Sequence, residues 1–453
     1  MTTSKLALFG GTRALPAQRA DTHLVGWPVI TDAERKAVLD VLDSGHFTSN
    51  NPGDGEVQML EREWARHVGT AHAAALSSGT AALEIALAAA GVEPGAEILV
   101  PALSFIASAV APVYRLVVPV FVDIDPVTFT MDPAAARAAV TPRTRAILAV
   151  HLHGLPCDMA QLRALADQHG LLLIEDAAQA HTARYRGIQA GALGDIAAFS
   201  LNVVKNLPTC GEGGLLNTDD DEIHRRVLRY RQFGEELEGR RKRDYISREL
   251  AGNAKLSAVQ AAFTRCQLAR SAEYHAARDR NVRALLARLD ALPGLGVPHC
   301  PDDRTHAWHI LRFRFDPEQM GIAGVHPGAV CSVLERALRA EGVPVRPYQM
   351  APLPMQRAFR TREGLSGYPW RLAGVERPPE HAEDYPRTLE VLEDSLTLQH
   401  WHLNPNAGPV LQDCAAAFEK VWDHIDTVAT VARAMDYTPL WRRPEWTSTE
   451  VVG

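Results

Sequence analysis

No stretch of the 453-residue chain stays apolar for the length a membrane-spanning helix needs. A basic excess is missing as well. The formal charge of −7 argues against a nucleic-acid partner, whose phosphates call for a basic face. The six cysteines (Cys157, Cys210, Cys266, Cys300, Cys331, Cys414) show no CxxC or other metal-ligand spacing. They read as reduced thiols of a cytoplasmic enzyme, mostly buried small residues. His151, His153 and Asp158 lie close in sequence, but no cysteine or carboxylate cluster stands at ligand distance, and no metal is expected. The opening MTTSKLALFGGTRALP lacks the basic flank and apolar core of a signal peptide. Internal repeats and low-complexity linkers are absent. These absences point to a soluble cytoplasmic protein.

What is present begins with length enough for two domains with sizeable cores. The stretch that organises the rest runs from Leu171 to Leu216. An apolar run, Leu171 to Ile174, ends on Glu175 and Asp176. A second run, Ile196 to Phe199, leads into Ser200, Asn202 and Lys205, and a glycine-rich turn, Gly211-Glu212-Gly213-Gly214, closes the stretch. Short apolar runs bounded by turn signals suit buried strands of a parallel sheet, and ligands of such sheets sit at the carboxyl ends of the strands. An acid on one strand end and a lysine just past the next is what a pyridoxal phosphate enzyme needs. The lysine forms the Schiff base, and the acid keeps the pyridine nitrogen protonated.

Taken in order, residues 1–26 read as an irregular arm. Thr31 and Glu34 form a capping box ahead of AERKAVLDVLDSG, a helix that Gly45 ends. HFTSNNPGDGEVQML is a loop by composition, and a helix around Val57 to His67 carries Leu60 and Trp64 on one core face. HAAALSSGTAALEIALAAAG reads strand, turn, helix, with Ser78-Gly79-Thr80 where the helix opens. Free N–H groups and the helix dipole make such an end a phosphate cradle, although an ordinary N-cap has the same composition. Further strand-like runs are AEILVP, VPVFVDID and RAILAVHLHG. Strands alternating with helices through residue 216 give an α/β layer in which helices cover both faces of a mostly parallel sheet. Beyond it, RRVLRYRQFGEELEGRRKRDYISREL reads as a solvated or interface face. From about 275 onward come a long helix, strand-like HAWHILRFRF and EGVPVRPY, and helical CAAAFEKVWDHIDTVATVARAM, as in a smaller α+β domain. The stretch Phe359 to Arg387 reads as a surface excursion. The expected boundaries are 1–26 for the arm, 27–272 for the large domain, 273–435 for the small domain and 436–453 for a tail.

EDAAQAH, then FS-x-N-x-x-K-N-L, then GEGG, resembles the DegT/DnrJ/EryC1/StrS family of sugar aminotransferases. The wording is most similar to its cyclitol branch, the scyllo-inosose and aminodehydroquinate-type enzymes. The resemblance runs densely from about Trp27 to about Leu268 and more loosely to about Val431. It implies the large domain of fold-type I pyridoxal phosphate enzymes, with pyridoxal 5'-phosphate as cofactor. Lys205 would be the Schiff-base lysine and proton carrier, its amine made neutral by an electropositive or desolvated pocket. Asp176 would sit at the pyridine nitrogen and Gln179 at the ring hydroxyl, with Phe105 on the ring face. Gly79, Thr80 and Ser200 would receive the phosphate, and Asn202 would share that task or cap its turn. AGNAKLSAVQ resembles the family segment whose asparagine reaches the neighbouring subunit's phosphate, so Asn253 is a candidate in trans and the protein a homodimer with shared sites. Lys255 replaces the family arginine there.

The keto substrate is expected to be recognised through hydroxyls, and His309, Arg346, Tyr348, His400 and His402 are candidates. Nothing marks a clamp for negative charge, which favours a keto-cyclitol or keto-sugar, while a nucleotide-linked sugar stays open. The amino donor implied is L-glutamine or L-glutamate, in natural-product biosynthesis of an aminoglycoside-like kind. Two other readings compete. A sugar dehydratase of the family carries histidine in place of the lysine, whereas a lyase would keep Lys205. A non-catalytic regulatory module would need no electron sink, yet Asp176, Gln179, Ser200 and Lys205 are all present.

Overall fold

The computed structural model describes residues 5–17, 24–49, 55–236, 245–362, 364–372, 380–399 and 403–443. A seven-stranded sheet organises the first half: β1 (His72–Leu76), β2 (Glu97–Pro101), β3 (Val118–Val122), β4 (Thr144–Val150), β5 (Leu172–Asp176), β6 (Ile196–Ser200) and β7 (Gly214–Thr218). Their spatial order is β1-β7-β6-β5-β4-β2-β3, and only β7 pairs antiparallel with its neighbours. β5 starts one residue later than the apolar run and continues over Glu175 and Asp176. Both carboxylates are therefore in the strand and buried.

The strands are buried on both faces, so neighbouring residues part to opposite layers. Leu148 of β4 joins the layer formed by α3 (Gly79–Ala89), α4 (Ala107–Tyr114) and α7 (Asp221–Arg231). Ile147 and Ala149 join α6 (Met159–His169) on the other face. There α2 (Glu56–Val68) also packs, burying Leu60 and Trp64 completely, and the Trp64 indole N–H donates to Asn217 Oδ1 at 2.7 Å. Truncating such a residue to alanine costs about 3–5 kcal/mol. The Thr31–Glu34 box caps α1 (Asp32–Ser44), and Gly45 ends it in the left-handed region at φ 69°, as the sequence indicates. Between α4 and α6 lies a short helix, α5 (Pro133–Ala139).

A 32-residue helix, α8 (Ala258–Leu289), carries the chain from one core to the other. Its first turns pack against the large sheet's helices through Ala258 and Ala261, and its last turns enter a second core through Val282, Leu285 and Leu289. Residue 272 thus lies inside one continuous helix. The second core gathers around a three-stranded antiparallel sheet of β8 (Leu295–Gly296), β9 (Leu311–Phe315) and β10 (Ser395–Leu398). Helices α9 (Pro327–Ala340), α10 (Pro386–Glu393), α11 (Gly408–Trp422) and α12 (Ile425–Arg433) accompany it. EGVPVRPY, expected as a strand, makes only an isolated bridge between Arg346 and Thr397. Pro344 and Pro347 lack the N–H donors that a longer ladder requires. Among the described residues no helix is long and apolar enough to cross a membrane.

Candidate active site

The register of three strands assembles one edge of the site. Ser200 at the end of β6 faces Gly214, and Gly214 faces Leu76, so the turn that follows β1 meets the end of β6. Glycines are needed there because backbones touch. A Cβ on Gly214 would lie 2.2 Å from the Ser78 carbonyl oxygen, and one on Gly79 would lie 2.8 Å from Ser200 Cβ. GEGG is thus a close-approach device rather than merely a turn. Ser78 caps α3 by accepting from the Ala81 N–H at 3.0 Å. The first N–H groups of the helix, those of Gly79 and Thr80, have no intrahelical acceptor by α-helix geometry, and both residues line a cavity of about 350 Å³.

Asp176 and Lys205 line the same cavity. The buried carboxylate of Asp176 accepts from Ser108 Oγ at 2.7 Å, itself 2.8 Å from Ser104 Oγ, and from the Ala178 N–H at 3.2 Å. Those donors fix its direction. Desolvation draws the Lys205 ammonium down to about 8 against the opposing pull of Asp176 and Glu212. The lysine backbone is tied on both sides: its N–H donates to Asn202 O at 2.8 Å, and its carbonyl accepts the Trp27 indole N–H at 3.0 Å. Asn202 spans the turn, donating from Nδ2 to Glu212 Oε1 and accepting the Val204 N–H at 3.0 Å.

Phe105 is 56% exposed and lines the cavity. Gln179, His309 and Tyr348 also line it, the last from the loop beyond α9. His309 Nδ1 lies 3.2 Å from Asn206 Oδ1. Arg346, expected at the substrate, is exposed and does not line the cavity; its guanidinium donates to Gln399, which does. Asn253 lines a separate groove of about 250 Å³ beside Ser77, Glu84 and Arg115. His400 and His402 lie outside the described residues. Sequence reasoning missed Ser104, Ser108, His151, Glu212 and Gln399. For the serines the signal was their i,i+4 spacing at the start of α4, on the face that meets β5. His151 is no metal candidate by its partners: Nδ1 accepts the Cys157 N–H and Nε2 donates to Glu175 at 2.8 Å.

A neutralisable amine, a buried carboxylate and a glycine-backed helix terminus in one cavity is a combination with few uses. A family model described as the DegT/DnrJ/EryC1/StrS aminotransferase family matches residues 28–369. The chain belongs to that family. It is 40% identical over 285 residues, covering 63% of this chain and 72% of the relative, to a dTDP-3-amino-3,4,6-trideoxy-alpha-D-glucose transaminase of Streptomyces venezuelae. It is 38% identical over 301 residues (65% of this chain, 76% of the relative) to the spore coat polysaccharide biosynthesis protein SpsC of Bacillus subtilis. Among solved structures, 3-amino-5-hydroxybenzoic acid synthase is similar at 32% identity and a TM-score of 0.76, covering 90% of this chain and 98% of that one. The S. venezuelae DesV structure with a ketimine intermediate is similar at 34% identity and a TM-score of 0.71, covering 85% and 94%.

Members of this family are sugar aminotransferases that depend on pyridoxal 5'-phosphate, and the same holds for this chain. The cavity fits that group. An amine brought down to about 8 suits its aldehyde, a buried carboxylate suits its ring nitrogen, and the glycine-backed start of α3 suits its phosphate.

Proposed function

We propose that this aminotransferase moves an amino group from L-glutamine or L-glutamate to a keto-cyclitol or keto-sugar. Pyridoxal phosphate, when bound, supplies the carbonyl that takes the amine and the ring that draws off electrons. Lys205 would carry the proton: its Nζ, neutral above about pH 8, can take one up and return it. Asp176, oriented by Ser108, would pair with the ring nitrogen and favour its protonated form. Gly79, Thr80 and Ser200 would hold the phosphate, with Asn202 stabilising the turn beside Ser200 and Phe105 offering an aromatic face to the ring. Gln179 would hydrogen-bond the ring hydroxyl.

The observation that carries the substrate class is the charge of the cavity. Among the described residues its lining holds the carboxylates Asp176 and Glu212, with Lys205 as its one lysine and no arginine. A multiply charged phosphate ester would meet no arginine among these described residues, whereas hydroxyl groups would meet His309, Tyr348 and Gln399. The similarity to a protein named for an amino-hydroxy-substituted carbocycle supports a ring of carbon. A nucleotide-linked sugar is the second reading, favoured by the relative named for a dTDP-sugar. A non-transaminating lyase would use the same Lys205. Asn253, apart from the cavity in one chain, suits a homodimer in which it completes the neighbouring site. A cytoplasmic role in natural-product biosynthesis accompanies this reading.

The test is to incubate the cofactor-loaded enzyme and amino donor with a keto-inositol, a free keto-sugar and a dTDP-linked keto-sugar, following amine formation by mass spectrometry. Preference for the unphosphorylated acceptors supports the proposal. Turnover of the dTDP-sugar alone would replace it with the second reading.

A further inference from the structure

Behind the wall that carries Gln179 and Tyr348 lies a buried cation for which the chemistry above has no use. Arg312 of β9 is 2% exposed. Among the described residues its hydrogen-bond acceptors are all neutral: His153 Nε2 at 3.0 Å from Nε, Ser395 Oγ at 2.7 Å from Nη1, and Gln349 Oε1 from Nη2. It also lies over the Phe129 ring, 5.7 Å from the centroid. The nearby Asp394 is engaged by Arg314, whose Nε is 3.0 Å from each of its oxygens. A buried cation without a bonded counter-ion is destabilising, so its presence calls for a different reason.

That reason is what Arg312 grips. His153 adopts φ 62° and ψ −2°, the left-handed region that costs a non-glycine residue energy. Its backbone serves two cavity residues: the N–H donates to Gln179 Oε1 at 2.6 Å, and the carbonyl accepts the His309 N–H at 3.0 Å. Its ring accepts from Arg312, so the ring proton sits on Nδ1 and the imidazole is neutral. Burial and the Arg312 charge both hold it well below the usual histidine range. With Oε1 turned to the His153 N–H, the Gln179 NH₂ group is directed away from that turn, on the side of the Tyr348 hydroxyl.

We propose that Arg312 is a positioning residue: its guanidinium pins the His153 ring in the left-handed turn, and that turn fixes the Gln179 amide as a donor toward the cavity. The inference rests on the reading that places Gln179 at the cofactor ring. Three variants test it: Arg312→Met, Arg312→Lys, and the milder Ser395→Ala, which removes one acceptor of the guanidinium. Pyridoxal phosphate is titrated into each cofactor-free protein while its visible spectrum is recorded. Arg312→Met is expected to weaken binding about tenfold and shift the visible maximum, the size of effect a lost hydrogen-bonded constraint gives. Arg312→Lys recovers less than half of that loss, because an ammonium lacks the fork. Ser395→Ala changes both readouts in the same direction by about threefold in affinity. In a Gln179→Leu background, Arg312→Met adds little, since the two act as a unit.

Variants that fold and keep the parent's affinity and spectrum would overturn the proposal, whatever happens to their melting temperatures. Additive losses in the double variant would overturn it too. If Arg312→Met does not fold, an unchanged Ser395→Ala spectrum and affinity does so by itself. A parent protein that shows no visible band with the cofactor would instead remove the reading on which the inference stands.

Discussion

The two walls of the cavity are built in different ways. The wall proposed for the cofactor comes from one edge of the large sheet: Asp176 and Ser200 end adjacent strands, Lys205 follows the second of them, and Gly79 follows another strand of the same sheet. Sheet register sets the strand ends side by side, and the turn after Ser200 carries Lys205. The opposite wall joins His309, Tyr348 and Gln399, and it is positioned by residues from β9, β10 and the loop after β4. On the proposed reading a mostly parallel sheet's edge carries the reacting groups, and loops beside a separately packed three-stranded sheet carry the side chains proposed to meet the acceptor.

If that division is right, damage to the first wall stops both half-reactions, and damage to the second affects only one. Lys205→Ala is expected to lower turnover by about a thousandfold or more while circular dichroism stays that of the parent. Retained turnover would remove Lys205 from the mechanism. The second effect is on protonation. Because desolvation lowers the folded-state value from 10.5 to about 8, the amine is protonated below that pH and neutral above it. The rate at which an acylating reagent modifies Lys205 in the cofactor-free protein should therefore rise with pH and level off past about 8. A midpoint close to 10.5 would contradict the desolvated site. Asp176→Asn is expected to keep the cofactor bound yet cost about a hundredfold in kcat, as loss of one preorganised electrostatic partner does. Weak cofactor binding with normal kcat would assign Asp176 to binding instead. The smallest effect belongs to the second wall. Tyr348→Phe should raise KM for the keto acceptor about tenfold and leave the reaction with the amino donor untouched. Equal loss in both half-reactions would erase the distinction between the walls.

The same division explains what was legible in the chain. Asp176, Ser200 and Lys205 could be read because strand ends and turns are local features with period and punctuation. The capping box at Thr31, the end of α1 at Gly45 and the core positions Leu60 and Trp64 were readable for the same reason. Ser108 was not singled out, because only tertiary packing of α4 brings its hydroxyl to Asp176, 68 residues away. Arg346 looked like a substrate ligand, but its backbone bridge to Thr397 turns it outward and leaves Gln399 at the cavity. The left-handed turn at His153 and the burial of Arg312 carry no sequence signal, since both depend on contacts between segments more than 150 residues apart.

The most direct test of the account is the visible absorption spectrum of the cofactor-loaded protein during titration with L-glutamine and, separately, L-glutamate. The account predicts a band near the visible edge that disappears with at least one donor and returns on adding a keto acceptor, and that is missing in Lys205→Ala. A band that neither donor changes would contradict amino-group transfer at this site.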